Sequence, residues 1–215
     1  MREVDGRLGP LPIAAGQYVV SESGPLGEYV TEIDGDCGGT GHFQAALGQS
    51  YSCTITNTRK ASIVVVKETI PAGSTTLFPF TASYTSTTFV LTDGQAAGSG
   101  LLPPGTYAVT ETVPAGWEQV ATGCSDGGEP SDISLGAGET ITCTFTNRQM
   151  GQIQLRKQLA PPGASGIFSF TASYAPDGFA LGHGDVHSSG FLPAGVYTVT
   201  VSTAKGSLCR KLTKE

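Results

Sequence analysis

The chain has 215 residues, thirty of them glycine and thirteen proline, with charged residues at 14% and a net charge of −6. The acidic balance excludes a nucleic-acid binder, because phosphates call for clustered Lys and Arg, and it argues against an anionic membrane surface. No apolar run is long enough to span a bilayer, and Met1-Arg-Glu-Val-Asp5 lacks the apolar core of a signal peptide.

Taken in chain order, the predicted elements are short strands, and they recur about every ninety residues. Tyr18-Val-Val-Ser-Glu22 returns as Tyr107-Ala-Val-Thr-Glu111 and as Tyr197-Thr-Val-Thr-Val201. Cys53-Thr-Ile-Thr-Asn57 returns as Cys143-Thr-Phe-Thr-Asn147. Phe80-Thr-Ala-Ser-Tyr84 returns as Phe170-Thr-Ala-Ser-Tyr174. Three units are expected: a partial one over 1–59 that lacks its first strands, a complete one over 60–149, and a truncated one over 150–215 with a degraded tail. The chain reads as a piece of a longer protein. Its third unit, without closing strands, is expected to fray or aggregate.

Within the complete unit, Ser62–Lys67 alternates with Ile63, Val65 and Lys67 on one face. Phe78, Phe80, Ala82 and Tyr84 share a face, as do Tyr107, Val109 and Glu111, and as do Ile141, Cys143, Phe145 and Asn147. Turn signals separate the runs: Asp93-Gly94, Pro103-Pro-Gly105, Pro114-Ala-Gly116 and Gly136-Ala-Gly138. Short strands at this spacing predict an all-β fold of tandem Ig-like sandwiches. The joints, Thr58–Ser62 and Arg148–Gln152, contain no Gly/Ser tract, which predicts a semi-rigid rod.

Each of the first two units carries two cysteines at equivalent places, which predicts the disulfides Cys37–Cys53 and Cys124–Cys143 and an oxidising compartment. The alternative is a metal site, against which stands the absence of any Cys-x-x-Cys. Cys209 is left over in the tail.

Three polar residues continue apolar rows: Lys67, Glu111 and Asn147. Burying an amine or a carboxyl is costly unless it is paired or neutral. The plainer alternative has Lys67 reaching water, Glu111 as its rim partner and Asn147 opening a turn.

Val66-Lys67-Glu68, the run Leu102-Pro-Pro-Gly-Thr-Tyr-Ala-Val-Thr-Glu-Thr-Val-Pro-Ala-Gly-Trp117 and Thr146-Asn147 resemble the Cna B-type, SpaA-like prealbumin-fold domains of Gram-positive surface proteins and pilins. The resemblance covers about Gly16 to Thr200. It implies a prealbumin-like sandwich in which Lys67 is the nucleophile, Asn147 the acceptor and Glu111 the catalytic acid of an autocatalytic isopeptide bond. It implies no such bond in the outer units of this chain. The first has Glu22 and Asn57 without a Lys strand, and the third has Lys157 but Val201 in the Glu position.

His183-Gly-Asp-Val-His187 and the acidic loops around Asp34, Asp36, Asp126, Glu129 and Asp132 are weaker candidates for metal ions. No cofactor and no metal is expected, and Trp117 is expected to cap the core. The expected role is a stalk or adhesin repeat region of a secreted or wall-attached surface protein, not an enzyme. Its partners would be host proteins or glycans reached through other domains of the parent, with no nucleic acid and no membrane insertion in this segment. The alternatives are a module that binds a host protein or glycan through its end loops, and the accessory spacer of a secreted enzyme.

Overall fold

A computed structural model describes residues 11–161, 164–203 and 206–214. The first segment contains β1 (Gly16–Val19), β2 (Tyr29–Gly35), β3 (His42–Ala45) and β4 (Cys53–Arg59). The middle one contains β5 (Ser62–Ile70), β6 (Phe78–Ala82), β7 (Thr85–Leu91), β8 (Ala96–Gly98), β9 (Gly105–Tyr107), β10 (Val109–Glu111), β11 (Trp117–Cys124), β12 (Ile133–Leu135) and β13 (Thr140–Gln149). The last contains β14 (Gln154–Arg156), β15 (Phe168–Ala172), β16 (Ala175–Leu181), β17 (Val186–Ser188), β18 (Gly195–Thr203) and β19 (Gly206–Lys214). The fold is all-β, as the alternation of apolar and polar residues demands.

In the middle segment one sheet runs β11-β13-β5-β8 and a second runs β10-β6-β7, with β9 and β12 paired beside them. Ile63, Val65, Phe78, Phe80, Ile141 and Phe145 meet in a closed core. Each such side chain contributes about 1.5–3 kcal/mol by leaving water. The predicted inward rows are the buried ones: Ile63, Val65 and Lys67 on β5, and Ile141, Cys143, Phe145 and Asn147 on β13.

One feature goes beyond the strand readings and one differs from them. The first and last strands of the segment, β5 and β13, lie side by side and parallel, with Ile63 opposite Ile141 and Lys67 opposite Phe145. The predicted run Tyr107–Glu111 is divided at Ala108. Before it β9 pairs with β12, and after it β10 pairs with β6. Ser83 holds the break, its hydroxyl accepting from Ala108 N at 3.0 Å and its own N–H donating to Ala108 O at 2.9 Å. The chain changes partners there without losing its parity, so Val109 and Glu111 both stay buried.

The last segment repeats the β6–β7 register in β15–β16, Phe168 opposite Leu181 as Phe78 is opposite Leu91. Its core is smaller, formed by Phe170, Ala172, Leu181 and Val199. The tail follows no repeat pattern, yet it forms β19, antiparallel on β18.

Both joints are tied by backbone hydrogen bonds. Gly138 N donates to Arg59 O at 3.2 Å, and Met150 N donates to Gly116 O at 2.8 Å. Gly116 is confined to glycine twice over. Its φ is +85, and a Cβ there would stand 3.0 Å from the ring of Phe191 in the next segment. Among the described residues no helix is long and apolar enough to cross a membrane.

Candidate functional site

Lys67 comes from β5, Asn147 from the neighbouring β13 and Glu111 from β10 of the facing sheet, so the group spans both layers of the sandwich. Each side chain points inward because it holds the inward parity of its strand. Parallel pairing sets Asn147 opposite Thr69, two residues beyond Lys67, which is within reach of the long lysine arm.

The Lys67 amine donates to Glu68 O at 2.7 Å, Phe145 O at 2.9 Å and Asn147 Oδ1 at 2.9 Å. It stands 3.4 Å from Glu111 Oε1 and 4.3 Å from the centre of the Phe78 ring. Lys67 and Asn147 are 0% exposed. Both Glu111 carboxyl oxygens and Asn147 Nδ2 are buried without a hydrogen-bond partner. Groups left so cost about 1–3 kcal/mol each, which makes the cluster expensive as mere scaffolding. Burial holds the Lys67 amine below its ordinary range, against the opposing pull of Glu111. An amine shifted in that direction has a larger neutral, nucleophilic fraction.

The sequence parity placed all three residues inside, and the structure brings them into one contact group. Trp117 is buried edge-on against Phe78 at 5.2 Å and closes the core beside them. The disulfides Cys37–Cys53 and Cys124–Cys143 are both formed, which removes the metal alternative for those four thiols. Cys209 is exposed and free.

The outer segments contain parts of the same arrangement. In the first, Asn57 Nδ2 donates to both carboxylate oxygens of Glu22, at 2.8 and 2.7 Å, while Thr31 Oγ1 donates to Asn57 Oδ1 at 2.7 Å. In the last, the Lys157 amine lies 4.2 Å from the Phe168 ring centre and donates to Gln158 O at 3.3 Å, as Lys67 does with Phe78 and Glu68. Val201 is opposite Phe170, as Glu111 is opposite Phe80.

The weaker candidates are engaged elsewhere. His183 Nδ1 accepts from Leu159 N at 2.9 Å, Asp185 Oδ2 accepts from Gly182 N at 2.7 Å, and His187 stacks on Phe179. Asp36 accepts from Ser52 N of the loop before β4, and Asp126 accepts from Gly128 N within its own loop. Among the described residues no group of His, Cys, Asp and Glu is placed to hold a metal ion. Sequence reading missed Asp93, whose carboxylate binds the amides of Thr69 and Gly73 and so fixes the turn after Lys67. The hydrogen bond from Gly73 is the main reason its carboxyl lies below the usual range. The Asp-Gly pair at 93–94 was the available signal.

Residues 63–149 match the family model of a SpaA-type prealbumin-like fold domain. The central domain is thus similar to SpaA-type prealbumin-like domains. Among solved structures, the chain is similar to the TIE protein of Bacillus anthracis, at 18% identity over 82% of this chain and 37% of that one, with a TM-score of 0.35. It is similar to a streptococcal ancillary pilin at 13% identity over 82% of this chain and 66% of that one, with a TM-score of 0.36. It is also similar to the pilus adhesin SpaC from Lactobacillus rhamnosus GG at 14% identity, 94% and 37% coverage, and a TM-score of 0.28. The chain thus spans under two thirds of the length of each of these proteins. No curated protein matches it.

Proposed function

We propose that this chain is the repeat region of a stalk or adhesin backbone on a bacterial cell surface, and that its central domain closes itself with a Lys67–Asn147 isopeptide bond. The observation that carries the reading is the Lys67 amine, out of water and 2.9 Å from the Asn147 carboxamide oxygen. These two residues lie on the first and last strands of the domain, where a cross-link joins the incoming chain to the outgoing one. The two disulfides agree with an oxidising, extracellular setting.

In the proposed reaction the neutral Lys67 amine attacks the Asn147 carboxamide carbon. The Glu111 carboxyl relays the protons, passing one to the departing nitrogen and taking one from the attacking amine. A C–N bond forms, a C–N bond breaks, and ammonia leaves. The folded core supplies the orientation. The reaction happens once per domain, so the chain is not an enzyme in the turnover sense.

The units 1–59, 60–149 and 150–215 are read as successive members of one array. The Glu22–Asn57 pair and the Lys157–Phe168 contact support that reading, since each reproduces part of the central group. Localisation at the cell surface follows from this role, and ligands would be engaged by other parts of the parent protein.

Intact mass tests the proposal. The purified chain, corrected for its disulfides, should be lighter than its sequence by one ammonia. The Lys67→Ala and Glu111→Gln chains should retain it. A wild-type chain of full mass would leave an ordinary disulfide-closed repeat.

A further inference from the structure

The central and last segments share an aromatic framework at an offset of ninety residues. Phe80 and Phe89 stack at 5.4 Å, as Phe170 and Phe179 do at 5.5 Å. Tyr84 meets Tyr107 edge-on at 6.3 Å, as Tyr174 meets Tyr197 at 6.2 Å. The two frames differ along the strand beside them, where β17 reads Val186-His187-Ser188 and β8 reads Ala96-Ala97-Gly98. There β17 carries His187, opposite Leu155, and β8 carries Ala97, opposite Val65.

In the last segment the His187 ring fills a slot. It lies parallel to Phe179 with ring centres 3.6 Å apart and planes within 6°, and it faces Tyr174 at 6.0 Å and 15°. In the central domain the alanine leaves the corresponding space vacant. A cavity of about 380 Å³ is lined there by Tyr84, Thr85, Thr87, Phe89, Ala97 and Ser99. It opens between β7 and β8, each the outermost strand of its sheet.

We propose that this slot between Tyr84 and Phe89 is a binding site for a flat aromatic side chain from a protein partner, with the histidine imidazole as its best fit. The protein itself supplies the template, since one domain further on the same frame accepts an imidazole. The ring face would stack on Phe89, and offset or parallel stacking on a half-buried aromatic is favourable beyond the area it covers. Thr85 and Thr87 sit on the exposed rim, where their hydroxyls can meet a ring nitrogen. The free edges of β7 and β8 offer backbone groups to the polypeptide that carries the ring. This site is independent of the proposed cross-link, which lies inside the core.

The test is an NMR titration of the intact chain with N-acetyl-histidine amide, read at the ring signals of Tyr84 and Phe89. The expected result is a saturable shift confined to those rings. Ala97→His should abolish it, because the chain then fills its own slot. His187→Ala should create a second set of shifts at Tyr174 and Phe179, and this variant decides the matter if Ala97→His fails to fold. Absence of a saturable shift in the wild-type chain overturns the proposal, as does a His187→Ala chain whose rings stay silent. A response to glucose with none to capped histidine also overturns it, in favour of a carbohydrate site.

Discussion

Lys67 and Glu111 approach to 3.4 Å across the two sheets, and neither side chain reaches water. Removing one member of such a pair strands the other in the core, whereas replacing both by uncharged groups does not. Lys67→Met alone should therefore be less stable than Lys67→Met combined with Glu111→Gln, by about 1–3 kcal/mol. Neither chain can form the proposed cross-link, so the comparison isolates the pair. Urea denaturation measures it, and equal midpoints would mean that Glu111 finds a partner of its own.

The amine of Lys67 also predicts a pH dependence. Burial is the principal cause of its lowered pKa, and Glu111 is the leading influence in the other direction. In the Glu111→Gln chain the amine stays free and loses that support. Over the range between its native value and the ordinary 10.5, the unfolded chain binds a proton that the native chain does not. Stability of this variant should rise with pH through that range and level off above it. Urea midpoints from neutrality upward follow the slope, and a flat profile contradicts a desolvated amine.

Cys124 and Cys143 face each other across β11 and β13, 19 residues apart in sequence. Closing a loop of that size restricts the unfolded chain by about 3 kcal/mol. Cys124→Ser with Cys143→Ser should lower the melting temperature of the central domain, and added reductant should not lower it further. An unchanged melting temperature would assign the stability of β13 to its ladder with β5.

The last segment has the smaller core, with Ile167 and Phe191 largely exposed. Local stability follows the amount of buried apolar contact. Amides of β15 and β16 should exchange with deuterium well before those of β5 and β13. Mass spectrometry of peptic fragments reads the order, and equal protection would show that β19 completes that segment as effectively as a regular closing strand.

Much of this was legible because parity is a local property. Ile63, Val65 and Lys67 alternate in sequence as they do in space, and so do Cys143, Phe145 and Asn147. That is enough to place a lysine and an asparagine indoors. The partner of each strand was not legible, because pairing is decided by what the whole core can enclose. Nothing in Ser62–Ile70 says that it lies parallel to a strand nearly eighty residues on. The division at Ala108 was not legible either, because Ser83, which meets the break, comes from the turn between β6 and β7. His187 looked like half of a metal site because two histidines and an aspartate lie close in sequence. In space its ring joins an aromatic stack assembled from Phe179 and Tyr174, on a neighbouring strand and at the turn before it.

The chain enters the central domain at the Ser62 end of β5 and leaves it at the Gln149 end of β13, and the two strands run alongside each other in one direction. Opposed pulls at those points therefore slide the strands lengthwise instead of peeling them open from one end. Every rung of the ladder resists at once, so the domain yields in shear rather than by unzipping. The proposed Lys67–Asn147 bond would lie across that slide, pinning one strand to the other where the Lys67 arm already meets the Asn147 oxygen.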